Sequence, residues 1–197
     1  FIADGYVGDE LCVFPVSKAT HLLYIAGGVF ERFCADTGVS YDDLSSWDGF
    51  FNVAEKYYVW SDGKPFCAID YLLRCVELNA MSKGATSESF YTENGWYDFN
   101  NELMKASYME FAESIAKGHI VIADLYSNTQ VMTGETIAGI GSSASVLYYN
   151  DTITYPDNTT EPMNLQVCPL PQAGVGSNYA TQAGVGLCSY KTTEQKA

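Results

Sequence analysis

The sequence predicts an α/β fold. Helical and strand-like segments alternate over the first two thirds of the chain, whereas the segments after residue 119 are short, β-branched and separated by turn residues. Of the 197 residues, 47% are hydrophobic, which is enough for a packed core rather than a disordered chain. We therefore expect helices packed on a sheet, with the chain strand-rich after residue 119.

The individual elements follow from hydrophobic periodicity and from the residues that begin and end helices. We expect a strand at 10–17, an apolar run at 21–26 and a helix from 29 to the C-cap Gly38. A second helix should run from the N-cap Ser45 to 61–63, with Trp47 facing the core, and a third over 67–81. A polar loop at 85–98, a helix from Asn100 or Asn101 to 117, a buried strand at 119–125 and a turn at 126–129 should follow. Strand-like stretches follow at 145–149, 165–171 and 184–190. One long helix from Thr20 is the alternative for the first apolar run, but each of Gly27 and Gly28 would weaken it by about 1 kcal/mol.

Charge and chain ends limit the possible partners. The net charge of −14 disfavours nucleic acid and anionic membrane surfaces, because their phosphates would be repelled. The sequence has no apolar run of membrane-spanning length, and we expect no signal peptide within it. Thr192-Thr193-Glu194-Gln195 is a capping box that would begin a helix two residues before the chain stops, so we expect a piece of a longer protein.

The cysteines and histidines predict neither a metal site nor a cofactor. The six cysteines form no C-x-x-C pair, and the only histidines, His21 and His119, are far apart in the sequence. Most cysteines lie beside apolar residues, which predicts buried free thiols, and the sequence leaves their disulfide state open.

The segment from Gly139 to Ala144 matches the G-x-G-x-x-G/A pattern of a dinucleotide-binding turn. That motif needs a helix after it, and the β-branched and aromatic residues 145–149 predict a strand instead. We expect a close backbone approach, with Ser142 and Ser143 offering hydroxyl and N–H groups to a ligand. A simple bend or β-bulge is the alternative.

No arrangement of residues in the sequence predicts catalysis. It has no G-x-S-x-G nucleophile elbow, and the acidic pair Asp42-Asp43 stands at the approach to a helix, where it suits the helix dipole. Loop aromatics are more informative, because α/β folds place ligands at strand ends. Trp96 lies in a polar loop and Tyr126 follows a buried strand, so both are candidates for stacking on a sugar.

Five segments occur in a familiar order. They are LCVFPVSKATHLLYI, TGVSYDDLSSWDGFFNVAEKYY, GHIVIADLYSNTQVMTGETIAGIGSSASVLYY, LQVCPLPQAG and AGVGLCSYKTTEQKA. Together they resemble the extracellular solute-binding proteins of ABC importers, most closely the family 1 group for sugars and glycerol phosphates. The chain departs from that family at 23–26, where its Asn is absent, and at Trp47-Asp48-Gly49, where the family has Glu in place of Gly. Members of the family are about twice as long.

The resemblance implies a periplasmic-binding-protein-like lobe with a mixed sheet flanked by helices. Residues 1–197 would form a single lobe with hinge-crossing strands, from a parent of two lobes. It also implies that Ser17, Thr20, Tyr126, Ser142 and Ser143 face the ligand; the loop argument adds Trp96.

The resemblance further implies a non-enzymatic receptor that closes on a sugar, polyol or glycerol-phosphate and delivers it to an ABC permease. The parent protein would be extracellular, anchored at the cell surface or periplasmic. Two other functions stay open: a carbohydrate-active enzyme domain and a surface adhesion module without a small ligand.

Overall fold

The computed structural model describes residues 2–174, 176 and 178–188. The chain divides into two compact units. The first unit combines residues 1–20 with 181–197, and the second comprises residues 21–180. The Thr192–Gln195 capping box lies outside the described residues.

Among the described residues, strands occur in both units, whereas all the α-helices lie in the second. The strands are β1 (Tyr6–Val7), β2 (Glu10–Leu11), β3 (Phe14–Ala19), β4 (His21–Ala26), β5 (Cys67–Ile69), β6 (Ile120–Ile122), β7 (Ala138–Ser142), β8 (Thr152–Thr154), β9 (Thr160–Pro162), β10 (Leu165–Cys168) and β11 (Ala183–Leu187). The α-helices are α1 (Gly27–Thr37), α2 (Trp47–Trp60), α3 (Leu72–Ser82), α4 (Glu102–Ala116) and α5 (Ser127–Met132). Short 3-10 helices cover Ile2–Gly5, Tyr41–Ser45, Ser87–Phe90 and Ser143–Tyr148.

The first unit is built from two antiparallel strand pairs. β1 pairs with β2, and β3 pairs with β11, in which Val185 lies opposite Ser17. Every residue of β1, β2 and β11 is exposed, so these strands are held mainly by their backbone hydrogen bonds.

The second unit contains a five-stranded mixed sheet in the order β10-β4-β7-β5-β6. β5 is parallel to both β6 and β7, whereas β4 is antiparallel to β7 and β10. The apolar run at 21–26 is therefore a strand inside this sheet, and its residues 23–26 are fully buried. A separate antiparallel hairpin is formed by β8 and β9. The mixed sheet flanked by helices, with several strands after residue 119, is the fold that the sequence predicts.

Aromatic side chains fill the core between the sheet and the helices. Trp47 contacts Phe50 and Phe111 edge to face, with ring centroids 5.6 and 5.2 Å apart, and is almost fully buried as predicted. Phe66, which precedes β5, lies 5.7 Å from the ring of Phe50 and 6.2 Å from that of Phe30. α1, α2 and α4 thus share one core with the sheet.

Three predicted helices are confirmed with their end signals. α1 ends at Gly38, which adopts the left-handed conformation at φ 76° and donates to Cys34 O. α2 begins one residue later than predicted, because Ser46 rather than Ser45 is the N-cap. The N-cap of α4 is Asn101, whose side-chain oxygen accepts hydrogen bonds from the first turn of the helix.

Three local predictions are wrong. Residues 67–69 form the interior strand β5 and not the start of a helix. A run buried on both faces shows no period-2 alternation, so the sequence pattern did not indicate a strand. Residues 126–129 do not form a simple turn, since Ser127 begins α5. The strand expected at 145–149 is instead a 3-10 helix, begun by the side chain of Ser142.

Two further predictions hold only in part. The strand expected at 119–125 is limited to β6, an edge strand whose last residue is exposed. All six cysteines are free thiols, but only Cys67 and Cys75 are buried, whereas Cys12 and Cys188 are exposed. Burial raises the pKa of both buried thiols, so they are inert packing groups.

Candidate functional site

The carboxyl ends of three parallel strands meet at one edge of the five-stranded sheet. β5, β6 and β7 end there at Ile69, Ile122 and Ser142. β4 runs in the opposite direction, so its first residue, His21, lies opposite Ser142 at the same edge. Open α/β sheets bind ligands outside the carboxyl ends of their strands. We call this the carboxyl edge; it consists of His21 and the segments 70–71, 123–128 and 142–148, at the ends of β5, β6 and β7.

Asp70 connects β5 to α5 at this edge. Its Oδ1 accepts a hydrogen bond from the backbone N–H of Ser127 at 2.6 Å, and its own N–H donates to Ile140 O at 3.0 Å. Burial raises the pKa of Asp70 above its ordinary value, although the hydrogen bonds from Ser127 act in the opposite direction. Asp70 therefore fixes the start of α5, and its second oxygen, Oδ2, lies beside Gly141 of β7.

The glycines of the G-x-G pattern lie inside β7, and not in a phosphate-binding turn. A Cβ on Gly141 would lie 2.8 Å from Asp70 Oδ2 and 3.2 Å from Ser145 Oγ. A Cβ on Gly139 would lie 3.0 Å from Ser127 Oγ. The glycines thus allow the polar side chains of neighbouring elements to approach β7 closely, which is the close backbone approach that the sequence predicts.

A tyrosine and a serine set the path of the chain beyond β7. Tyr24 on β4 donates its hydroxyl to Ser142 O at 2.8 Å, and its ring centroid lies 4.8 Å from that of Tyr149. Burial raises the pKa of Tyr24, which keeps it a neutral donor. Ser142 Oγ accepts from the N–H of Ala144 at 3.2 Å and so begins the 3-10 helix at 143–148.

Three tyrosines that follow the parallel strands are exposed. Tyr71 follows β5, Tyr126 follows β6 and Tyr148 follows β7, with exposed fractions of 46, 55 and 69%. The ring of Tyr71 lies 4.7 Å from that of His21. Asn128 Nδ2 donates to Tyr148 O at 3.3 Å, which joins the segments that carry Tyr126 and Tyr148. Exposed rings next to serines and a carboxylate can stack on a ligand and hydrogen-bond its hydroxyls.

His21 is held in its neutral form at this edge. Burial lowers its pKa, and the positive charge of Arg74 lowers it further. The imidazole therefore offers one donor and one acceptor at neutral pH and adds no charge to the carboxyl edge.

The structure brings three of the six predicted site residues together. Tyr126, Ser142 and Ser143 all lie at the carboxyl edge, at the start of α5, the end of β7 and the start of the 3-10 helix. The Oγ of Ser142 already accepts a hydrogen bond from the N–H of Ala144, so its hydroxyl would bind a ligand as a donor. The ligand-binding role of these residues stays a prediction.

The other three predicted residues lie elsewhere in the chain. Ser17 and Thr20 belong to the first unit, where Ser17 lines a cleft of about 240 Å³ beside Lys18. Trp96 is 76% exposed at a turn in which its O accepts from Thr92 N–H at 2.7 Å and its N–H donates to Thr92 Oγ1 at 3.2 Å. Their place in the site also stays a prediction.

Sequence reasoning missed Asp70, Tyr71 and Tyr148. The first two were hidden because residues 67–81 were interpreted as one helix, so the strand end at Ile69 was not recognised. The signal was present: a short, wholly apolar run after Pro65 and before Asp70 has the length of a buried strand. Tyr148 was hidden by the strand expected at 145–149.

The part of the chain that the structure describes carries neither a membrane-spanning helix nor a metal-binding cluster. None of its helices combines the length and the apolar character needed to cross a membrane. Nor do these residues include a cluster of three His, Cys, Asp or Glu side chains that could hold a metal ion.

The fold is similar to that of solved solute-binding proteins. MalE3 of T. maritima with bound maltose superposes with a TM-score of 0.71 at 16% identity, covering 99% of this chain and 49% of that one. UgpB of Mycobacterium tuberculosis in complex with glycerophosphocholine gives a TM-score of 0.72 at 16% identity, covering 99% and 46%. An ABC transporter solute-binding protein of Agrobacterium vitis with bound D-mannitol gives 0.69 at 14% identity, covering 99% and 46%.

These likenesses confirm the periplasmic-binding-protein-like fold that the resemblance implies. The chain spans about half the length of each of these proteins. No protein-family model and no curated protein matches the sequence.

Proposed function

We propose that this chain is the ligand-binding part of a solute receptor and that its ligand is a neutral sugar or polyol. The observation that carries the proposal is the placement of Tyr71, Tyr126 and Tyr148, one exposed aromatic ring after each parallel strand of the carboxyl edge. The ligand would stack its apolar face on these rings. Its hydroxyls would bond to Asp70 Oδ2 and to the serines after β7.

Charge favours a neutral ligand over a phosphorylated one. The chain carries a net charge of −14, and Asp70 lies at the carboxyl edge itself. A phosphate is best bound by arginine, and both arginines are already paired: Arg32 with Glu161 at 2.8 Å and Arg74 with Glu77 at 2.7 Å. Glycerol phosphates are therefore the less favoured ligands.

The similar structures support this class of ligand. Two of those described above were solved with a neutral sugar or polyol, maltose and D-mannitol, whereas the third was solved with the phosphodiester glycerophosphocholine. By the same likeness we propose that the parent protein has two lobes, which close on the ligand. This chain would form one of the lobes and the strands that cross the hinge. Ligand contacts would select the closed state, and an ABC permease would recognise it. The proposed location is outside the cytoplasmic membrane, at the cell surface or in the periplasm.

Tyr126, Ser142 and Ser143 are the proposed ligand contacts at the carboxyl edge. Ser17 and Thr20 of the first unit, and Trp96 of the loop before α4, are each proposed as ligand contacts in their own right. Alanine substitution at Trp96 or Ser143 should weaken binding, and unchanged affinity in both variants would remove them from the site.

The first experiment is a thermal-shift panel. It uses the protein at the length at which its source cells make it, with glucose, maltose, D-mannitol and glycerophosphocholine as probes. A ligand that binds only the folded state at a hundredfold excess over Kd should add about 2.7 kcal/mol of stability. A shift for a neutral sugar or polyol supports the proposal. A rise of the thermal midpoint with glycerophosphocholine alone contradicts the proposal of a neutral ligand. A midpoint that changes with none of the four probes contradicts the proposal that the protein is a solute receptor.

A substitution pair locates the binding to the carboxyl edge. Tyr126→Ala should raise the Kd of the binding probe at least tenfold, because a stacking ring is lost. Val59→Ala is the control, since Val59 is 76% exposed near the end of α2, which leads into the opposite end of β5. An equal effect of the two substitutions would move the site away from the carboxyl edge.

The two other functions predict different outcomes. A glycoside hydrolase would release phenol from an aryl glycoside, and we expect no turnover. An adhesion module would leave every small probe without effect while the protein stays folded.

A further inference from the structure

Two exposed cysteines lie at the same end of the first unit's main strand pair. β11 runs antiparallel to β3, and the last pair of their register joins Leu187 to Phe14. Cys188 directly follows Leu187, and Cys12 lies two residues before Phe14, so both thiols lie just beyond that pair. These two cysteines are exposed, whereas each of the other four in the chain is at least partly buried.

The register of the two strands brings the cysteines within reach of each other. Opposite Cα atoms of an antiparallel pair are about 4.5–5.5 Å apart, and each residue advances a strand by about 3.4 Å. Continuing the register by one step places Cys188 opposite Val13, the neighbour of Cys12. The Cα atoms of Cys12 and Cys188 are then about 6 Å apart, within the range of roughly 4.4–6.8 Å that a disulfide spans.

A β-bulge allows both thiols to lie on one face. The N–H groups of Cys12 and Val13 both donate to Gly5 O, at 2.9 and 3.0 Å, so two residues oppose one. The bulge interrupts the alternation that would place Cys12 and Val13 on opposite faces. Val13 lies on the face of Gly186, since a Cβ on Gly186 would collide with Val13 Cγ1. Cys188 follows Gly186 by two residues and shares that face.

The first unit has little buried apolar surface to hold its strands together. Every residue of β1, β2 and β11 is exposed, and β3 is paired with a strand that is distant in sequence. Proteins with too small a core often use disulfides instead, in compartments outside the reducing cytoplasm. The location proposed above is a compartment of this kind.

We propose that Cys12 and Cys188 form a disulfide that joins β3 to β11, with a small-molecule disulfide as the oxidant. The Cys12 thiolate attacks one sulfur of the oxidant and releases the other as a thiolate. The Cys188 thiolate then attacks the Cys12 sulfur of this mixed disulfide and releases the second thiolate. The two protein thiols lose two protons and two electrons, and the oxidant takes up both electrons as it becomes two thiols.

The bond would close a loop around the whole second unit. Residues 21–180 all lie between Cys12 and Cys188 in sequence, so the link restricts the unfolded chain at both ends of that unit. For a chain of this size, a disulfide that closes a long loop raises the thermal midpoint by about 5–10 °C. The oxidised protein should therefore unfold at a higher temperature than the reduced protein.

The first measurement is a disulfide map of the protein at its natural length. The folded protein is incubated with oxidised and reduced glutathione, and the remaining thiols are then alkylated in denaturant. Chymotrypsin separates Cys168 from Cys188, because it cleaves after residues such as Tyr179. We expect mass spectrometry to find the peptide of Cys12 joined to that of Cys188, with the other four cysteines of the chain alkylated.

Oxidation of the urea-unfolded protein is the control for the effect of the fold. An unfolded chain joins thiols that are close in sequence more readily, because a short loop costs less entropy to close. Cys67 with Cys75 should then be the favoured pair, and the peptide that joins Cys12 to Cys188 should become rare.

Substitutions connect the bond to the change in stability. Cys12→Ser and Cys188→Ser should each remove the joined peptide and the difference in thermal midpoint between oxidised and reduced protein. Both side chains are exposed, so folding should tolerate either change. Cys168→Ser is the matched control, because Cys168 lies at the end of β10, outside the pair, and this variant should keep the joined peptide and the higher midpoint.

Three outcomes would overturn the disulfide. Cys12 and Cys188 that each carry glutathione without joining would show that the fold holds them apart. A bond that forms only between two molecules, seen as a dimer on a non-reducing gel, would assign the thiols to an interface. A joined peptide as abundant after oxidation in urea as in the folded protein would show chance pairing. Sugar binding plays no part in these measurements, so the proposed receptor is tested separately.

Discussion

Asp70 joins two elements at the carboxyl edge, because one oxygen accepts from the N–H of Ser127 at the start of α5 and the other lies beside Gly141 of β7. A carboxylate that already accepts a backbone hydrogen bond is fixed in orientation. A group fixed in this way loses less entropy when a ligand hydroxyl bonds to it.

Asp70→Asn should change how stability depends on pH. Burial raises the folded-state pKa of Asp70 above the ordinary 3.8 of the unfolded chain. The folded protein then binds the proton more tightly than the unfolded chain does. Protonation of Asp70 therefore stabilises the folded state in full below the unfolded pKa, and this stabilisation is lost as pH rises through the folded pKa. The thermal midpoint of the natural protein should therefore fall, relative to the Asn variant, as pH rises from about 4 to 7.

Asp157→Asn is the control with the opposite sign. Hydrogen bonds from Thr159 lower the pKa of Asp157, so its stabilising effect is present at neutral pH and is lost as pH falls through the folded pKa. Parallel midpoint curves for the two variants would contradict the assigned environments.

Gly141→Ala should destabilise the second unit. The new Cβ would lie 2.8 Å from Asp70 Oδ2 and 3.2 Å from Ser145 Oγ, in a strand paired on both sides. Overpacking of this kind costs about 1–3 kcal/mol. Chemical denaturation measures the loss. Adding Ser145→Ala should restore part of it, and an unchanged midpoint for Gly141→Ala would show that Asp70 moves away at no cost.

At the scale of elements, sequence patterns predicted best where a helix carried its own end signals. α1 has Gly38, α2 has a serine cap and α4 has Asn101, and all three were located within a few residues. Such signals are local: a side chain or a glycine satisfies the backbone groups of the nearest turn.

The elements that form the carboxyl edge depend on contacts that are distant in sequence. β5 is only three residues long, and its strand conformation depends on pairing with β6 and β7, which follow about 50 and 70 residues later. The strand-like residues 145–149 instead form a 3-10 helix, because the Ser142 hydroxyl accepts from Ala144 N–H. The predicted Tyr126, Ser142 and Ser143 were found from local patterns, whereas Asp70 and Tyr71 required the position of β5.

Asn101→Ala should destabilise α4. The Asn101 side-chain oxygen accepts from Leu103 and Met104 N–H at 3.0 and 3.1 Å, and its amide donates to Ser89 O at 3.0 Å. Loss of an N-cap costs about 1 kcal/mol, and the bond to Ser89 adds to that loss. Asn100→Ala is the matched control: Asn100 is exposed and does not cap the helix. Equal urea midpoints for the two variants would contradict the cap.

At the scale of the whole molecule, the two units differ in how they are stabilised. All members of the buried hydrophobic cluster found among the described residues lie between Leu23 and Leu170, within the second unit. The strands of the first unit are mostly exposed and depend on the pairing of β3 with β11, whose sequences are far apart. Burial of apolar area is the main favourable term in folding, so the stability of the chain resides in the second unit.

Residues 21–180 should therefore fold without the rest of the chain. The fragment keeps the five-stranded sheet, all five α-helices of the described residues and the whole aromatic core. We expect a single cooperative thermal transition, with a midpoint within a few degrees of that of the complete chain, because little buried apolar surface is removed. Residues 1–20 made as a peptide are the counterpart and should be unstructured, since β3 loses β11. Circular dichroism with thermal scanning measures both. A fragment 21–180 without a cooperative transition would show that the first unit supplies stability that its exposed strands do not reveal.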